Sequence, residues 1–251
     1  MKDKGNYIEF DFFPNNVISL YTKNNYNFRH TLLDKEFIYN EFNKLEQDTK
    51  YKFDRVVLPI QTHSNNVVVI DNNNINDRLE DTDGVITNLP NVALGTISAD
   101  CQSILLYDNN KKVIGNIHSG WKGTYNKIIV NAINIMIDRF NSNVKDIKCV
   151  ICPSICKECF EVDEDLNNNF VNKFGNKYST LGNIKDGKQK YYIDTLSINK
   201  DVLIGLGVDI DNIYISDICT KCNCNAYHSY RGIGVDTGRG LAIIEMSDNN
   251  V

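Results

Sequence analysis

The chain has 251 residues, 42% of them hydrophobic and 24% charged, with a formal net charge of -5; that length buries a real core as one large domain or two small ones. No block of like charges and no basic tail supports nucleic-acid binding through phosphate neutralisation. No apolar run reaches the length of a membrane span, and Met1 to Asn6 lead into no apolar signal core, so the expectation is a cytoplasmic protein without a membrane partner.

The first strand-like run is Arg55 to Ile60, followed by Val67 to Ile70, Gly84 to Thr87, Val92 to Ser98, Ser103 to Tyr107 and Val113 to His118. These are short and β-branched, and Asn, Asp or Gly bounds them. Tyr125 to Phe140 has helical periodicity, with Ile128, Ile129, Ala132, Ile133, Met136 and Phe140 on one stripe. A strand over Ile147 to Cys152 precedes a second helix, Asp163 to Phe174. A strand over Tyr191 to Asp194 precedes a third helix, Ser197 to Leu206, which Gly207 terminates. Strands over Ile213 to Ser216 and Leu241 to Met246 complete the series. Runs of strands interrupted by single helices predict an α+β protein with mixed or antiparallel sheets covered by helices. No repeat and no Pro/Gly/Ser linker divides the chain, so one domain over residues 1–251 is expected.

Four histidines occur: His30, His63, His118 and His228. His63 follows a strand, His118 ends one, and Cys101 lies at a junction between two apolar runs. Two imidazoles and a thiolate suit Zn²⁺ with a fourth position left open for chemistry. There the ion serves as Lewis acid or generates a nucleophile at neutral pH. The same Cys101 and His118 also suit a metal-free nucleophile and base pair, although such a pair has no need of a second histidine.

Eight cysteines occur, at 101, 149, 152, 156, 159, 219, 222 and 224. This is too few for a disulfide scaffold, and they read as reduced thiols. Cys152, Cys156 and Cys159, with Cys219, Cys222 and Cys224, either form a second thiolate-rich metal site or are unrelated thiols; the spacing leaves both open. Trp121 reads as core packing rather than as a stacking platform. Asp83 and Asp100 suit general bases or partners that orient the histidines.

The pieces Gln61-Thr62-His63, Asp81 to Thr87, Ala99-Asp100-Cys101 and His118-Ser119-Gly120-Trp121-Lys122-Gly123 occur in that order. They are followed by Cys152 to Ile155, Phe160-Glu161-Val162, Cys219-Thr220, His228-Ser229-Tyr230-Arg231 and Thr237-Gly238-Arg239-Gly240. In these the chain resembles the laccase-domain family. Its members, once called multicopper polyphenol oxidases, are now described as purine nucleoside phosphorylases with adenosine deaminase side activity, and some bacterial members as peptidoglycan editing factors. The chain departs from the family at Cys152, where Gly is usual, at His228, where Phe is usual, and at Lys23, which stands in the place of an arginine.

The resemblance implies a layered α/β/β/α sandwich with mixed sheets, and His63, Cys101 and His118 as both metal ligands and catalytic residues, with zinc rather than copper. It implies phosphorolysis of adenosine, inosine or methylthioadenosine to the base and ribose 1-phosphate, with nucleoside and phosphate as the small-molecule partners. Gln61, Lys122 and Arg231 are the candidate substrate and phosphate contacts, with Arg239 and Lys23 as further cations. The alternative is a hydrolase that edits a UDP-linked cell-wall precursor on the same site. A copper phenol oxidase ranks low because four histidines are too few, and a non-enzymatic binding module stands outside these. Oligomeric state is open.

Overall fold

The structure, a computed structural model, describes residues 1–29 and 35–248. His30 lies outside the described residues. In chain order the strands and helices are β1 (Lys2–Asp3), β2 (Tyr7–Glu9), β3 (Val17–Thr22), α1 (Lys35–Thr49), β4 (Val56–Val57), β5 (Val67–Val69), β6 (Gly84–Thr87), β7 (Ala93–Ser98), β8 (Gln102–Asp108) and β9 (Val113–Ser119). They continue with α2 (Trp121–Tyr125), α3 (Ile128–Phe140), β10 (Ile147–Ile151), β11 (Glu161–Asp163), α4 (Glu164–Phe174), β12 (Ser179–Lys185), β13 (Lys188–Ile193), α5 (Thr195–Leu206), β14 (Ile213–Ile215), α6 (Tyr230–Ile233) and β15 (Gly240–Met246).

Two six-stranded mixed sheets form the centre. One has the order β1-β2-β3-β15-β7-β4, the other β14-β10-β8-β9-β6-β5; β11-β13-β12 make a small third sheet. The period-two alternation of a strand decides what lies where. Along β15, Ala242 and Ile244 face the core between the sheets, while Leu241 and Ile243 face a second core that includes Ile38, Phe42 and Leu45 of α1. Along β8, Leu105 and Tyr107 join the inter-sheet core, while Ile104 and Leu106 pack with Ile129, Ile133 and Met136 of α3 and Leu203 of α5. Both faces of each central strand are buried, so these strands read as continuous apolar runs. The layers are helix, sheet, sheet, helix, as the resemblance implied.

A polar bridge crosses the inter-sheet core. Thr96 of β7 donates to Asn116 of β9 at 2.7 Å, and the Asn116 amide donates to the backbone carbonyls of Leu94 and Ala242 at 2.8 and 2.9 Å. A buried amide satisfied in this way fixes the registration of one sheet on the other.

Several elements differ from the sequence-based expectation. The predicted helix Tyr125 to Phe140 begins only at Ile128, after Lys127 at φ 57°, and Tyr125 instead ends the short α2, which the sequence reading did not predict. The predicted strand Arg55 to Ile60 forms a ladder only over Val56–Val57, and Pro59 has no N–H to extend it. The N-terminal strands, α1 and β12 were not anticipated. No described helix is long and apolar enough to cross a membrane.

Candidate active site

β7 lies in one sheet and β8 in the other, so the chain crosses between sheets at Ala99-Asp100-Cys101. The last residues of β9, His118 and Ser119, pair with Ser103 and Gln102 of β8, directly after the crossing. His63 lies on the loop between β4 and β5. The site is thus built where three chain segments meet at the ends of β7, β8 and β9.

One carboxylate organises it. Asp83 is fully buried and accepts Nδ1–H of His118 at 2.7 Å. It also accepts the backbone N–H groups of Thr62, His63 and Ser64 at 3.1, 3.0 and 2.7 Å, and the Ser64 hydroxyl at 2.8 Å. These bonds hold His63 at φ 64°, a left-handed conformation that costs a non-glycine residue energy and persists only when its surroundings enforce it. Burial raises the Asp83 carboxyl, but the His118 ring and the Ser64 donors outweigh that and bring it down to about 2.

Because Nδ1 of His118 is committed to Asp83, Nε2 is the atom left for other work. Nε2 of His63 lies 3.7 Å from Sγ of Cys101, and the ligand atoms of His63, Cys101 and His118 all lie within 4.8 Å of one another. A tetrahedral zinc ion sets its nitrogen and sulfur ligands about 3.6 Å apart. The donor set and its spacing therefore fit one metal ion, and Asp83 supplies the carboxylate–histidine support that such ligands receive. Burial raises the Cys101 thiol, but the neighbouring His118 and His63 rings lower it to about 6. Burial lowers His118, but the Cys101 thiolate and Asp83 raise it to about 9.

Gly120 is needed here for space. A Cβ at this position would lie 2.6 Å from Cδ2 of His63 and 3.0 Å from Sγ of Cys101, so any side chain would push two ligands apart.

The three residues line a cleft of about 510 Å³, together with Trp121, Phe160, Tyr230, Arg231 and Arg239. That volume suits a small molecule. A more open depression of about 710 Å³ lies elsewhere, lined by Asn65, Asn66, Asn74, Asn131 and Asn134 among others; it contains none of the three.

Residues 18–247 match the family described as multi-copper polyphenol oxidoreductase laccase. The chain belongs to this family. It is similar to a purine nucleoside phosphorylase from Borreliella burgdorferi, 34% identical over 226 residues that cover 90% of each protein. It is also similar to adenosine deaminase RL5 from an unknown prokaryotic organism, 33% identical over 196 residues that cover 74% of this chain and 73% of that protein. Among solved structures, Bacillus licheniformis hypothetical protein YfiH superposes with a TM-score of 0.83 at 26% identity, over 93% of this chain and 94% of that one. YlmD from Geobacillus stearothermophilus superposes at 0.85 with 22% identity, over 99% and 98%, a likeness of fold alone.

In this laccase-domain chain the expected triad comes together, and the other candidates divide. Gln61 lines the cleft, but both ends of its amide are bound to the backbone of Ile97, at 2.9 and 2.8 Å; it braces β7. Arg231 lines the cleft, with its guanidinium 5.1 Å from the centre of the Phe160 ring and one N–H donated to the Glu161 carbonyl at 2.7 Å. Lys122 is not in the cleft wall; its ammonium lies 5.6 Å from the Trp121 ring. Lys23 pairs with Asp3 at 2.7 Å. Arg239, half-buried and in the wall, is the second cation of the cleft.

Trp121 is 37% exposed and lines the cleft, so the core-packing expectation is corrected. Asp100, at φ 88°, gives one oxygen to the Thr220 hydroxyl and the other to the Arg231 backbone N–H, both at 2.7 Å; it braces the loop before Cys101. His228 donates to the Tyr26 carbonyl at 2.6 Å and is no part of the site. The sequence reading missed a buried network behind β8, in which Asn199 of α5 donates to Gln102 and Ser119 at 2.9 and 3.1 Å. Its signal is the pair Thr195 and Asn199, one helical turn apart and both buried beside Ile198 and Leu203 of α5.

Proposed function

We propose that this chain is a zinc-dependent purine nucleoside phosphorylase that cleaves adenosine, inosine or methylthioadenosine with phosphate, with adenosine deamination as a side activity. The observation that carries this reading is the open His63–Cys101–His118 set at the floor of a cleft that also holds two arginines and three aromatic rings. The relatives named for nucleoside phosphorolysis and adenosine deamination support it.

A zinc ion on these three ligands supplies a Lewis acid with one open position. In the reaction, a phosphate oxygen bonds to the anomeric carbon as the bond from that carbon to the purine nitrogen breaks, and the proton of the phosphate ends on the departing base. Arg231 and Arg239 bind the phosphate, since guanidinium forks match its oxygens. Phe160, Trp121 and Tyr230 offer apolar faces to the purine. Asp83 holds His118 in one tautomer and His63 in one backbone conformation, so the floor is set before substrate arrives. Gln61 and Asp100 keep the walls in place.

A second reading has one specific observation in its favour. The Asp83–His118–Cys101 chain is also the arrangement that activates a thiolate nucleophile, as the editing hydrolase would require.

The test is adenosine incubated with the purified protein, with and without phosphate, before and after chelation. Adenine release that requires phosphate and returns with added zinc is the expected result. Turnover of the UDP-linked precursor by the metal-free protein, without phosphate-dependent adenine release, would reject the phosphorylase reading.

A further inference from the structure

The sequence carries two Cys-x2-Cys pairs that this reaction does not use, Cys156–Cys159 and Cys219–Cys222. The fold brings them together. Ser154 and Cys219 form a parallel bridge, with the Ser154 N–H on the Ile218 carbonyl and the Thr220 N–H on the Ser154 carbonyl, both at 3.1 Å. The two pairs then face each other across this bridge.

All four sulfurs lie within 4.8 Å of one another, and no imidazole or carboxylate belongs to the group. Sγ of Cys159 and Sγ of Cys222 are 3.5 Å apart. Sγ of Cys219 accepts the backbone N–H groups of Cys156 and Cys222 at 3.3 and 3.4 Å, donors that favour a thiolate. A tetrahedral zinc ion with bonds of about 2.3 Å needs sulfurs about 3.8 Å apart. The 3.5 Å separation lies close to that value, and the 4.8 Å limit on the remaining pairs is compatible with it. Of the other cysteines the sequence grouped here, Cys152 is buried in the inter-sheet core, and Cys224 is not one of the four.

We propose that Cys156, Cys159, Cys219 and Cys222 bind a second Zn²⁺ ion in a closed tetrathiolate site that clamps the wall of the cleft. Four protein ligands leave no position for substrate, which makes the ion structural. A disulfide between Cys159 and Cys222 would leave Cys156 and Cys219 converging on nothing.

What the ion would clamp follows from the neighbouring bonds. The Ile155 N–H donates to the Asp100 carbonyl at 2.9 Å, and the Thr220 hydroxyl to the Asp100 carboxylate at 2.7 Å. Ile155 and Phe160, which flank the first cysteine pair, both line the cleft. The ion therefore joins two segments that hold the strained residue just before Cys101. The closed site stabilises that geometry and has no part in the chemistry.

The test is a metal count on the full chain, purified under reducing conditions without chelator and then dialysed against zinc. Two zinc ions per chain are expected, falling to one in Cys159→Ser/Cys222→Ser. One ion should also remain in His63→Ala/His118→Ala, and X-ray absorption on that variant should find zinc surrounded by four sulfurs. A single zinc kept in the histidine variant would count instead against the metal at His63, Cys101 and His118. Unmodified protein holding no zinc, or a single zinc that is lost in the histidine variant and kept in the serine variant, would overturn the proposal. So would a zinc with nitrogen or oxygen neighbours in the histidine variant, iron-thiolate absorption in place of zinc, or a Cys159–Cys222 disulfide found by mass spectrometry in the reduced preparation. If the serine variant does not fold, the count on the unmodified protein and the absorption spectrum of the histidine variant still decide. None of these readouts depends on nucleoside turnover.

Discussion

The carboxylate of Asp83 accepts Nδ1–H of His118 at 2.7 Å while it also accepts the backbone N–H of His63 at 3.0 Å. One buried side chain therefore aims both imidazoles. Asp83→Asn keeps the size but offers only one acceptor oxygen, and its amide nitrogen would face donors. Metal affinity should fall by about 10- to 100-fold, measured by competition with a chromogenic chelator. Unchanged affinity would show that the histidines are held by packing alone.

Removing a ligand separates the metal reading from the nucleophile reading. His118→Ala should abolish both stoichiometric metal at this site and turnover, with the remaining fold intact by circular dichroism. In the unmodified chain a bound metal should shield Cys101 from alkylation. Chelation should expose a thiol whose reactivity with iodoacetamide rises near its lowered pKa of about 6. A Cys101 that alkylates equally fast with and without metal is not a ligand.

The cleft holds Arg231 and Arg239 but not Lys122. Loss of a charge-assisted hydrogen bond costs about 1.5–3 kcal/mol. Arg231→Met and Arg239→Met should each raise KM for phosphate by roughly 10- to 100-fold, with a smaller change in kcat at saturating phosphate. Lys122→Met should leave KM for phosphate unchanged. Initial rates over a phosphate series check all three, and equal effects at Lys122 and Arg239 would contradict the placement.

Much of this was legible in the sequence, for physical reasons. Ile104 to Tyr107 and Leu241 to Ile244 are apolar without interruption because both their faces are buried, and the runs that contain them read as strands at once. His63, Cys101 and His118 stood out because few residue types bind metal and each lies beside a strand end. The α1 stripe of Ile38, Phe42 and Leu45 had helical spacing and could have been read. β12 could not: Leu181 and Ile184 are 67% and 69% exposed, so no burial pattern marks it. Nor does spacing along the chain tell Arg239 from Lys122, because which cation reaches the cleft depends on the path of the backbone. The same holds for the cysteines. Pairing Cys156 with Cys219, across 63 residues, depends on a bridge that only the fold creates.

A last expectation concerns stability away from the cleft. Glu245 lies within β15 opposite Ile18 and is 5% exposed; its Oε2 has no hydrogen-bond partner among the described residues. Burial, with the nearby Asp54 charge, pushes its carboxyl up to about 7. A raised carboxyl means that the folded chain binds the proton more tightly than the unfolded one, so this group favours folding while protonated. That contribution is complete below the ordinary value of 4.5 and is lost as the pH rises through about 7. Glu245→Gln keeps the shape and cannot ionise. Its melting temperature should exceed that of the unmodified protein by a few degrees, about 2–4 °C per kcal/mol, at pH 8, and the gap should close near pH 5. Melting curves across that range check it. A gap that is constant with pH would mean that Glu245 finds its charge compensated in the folded state.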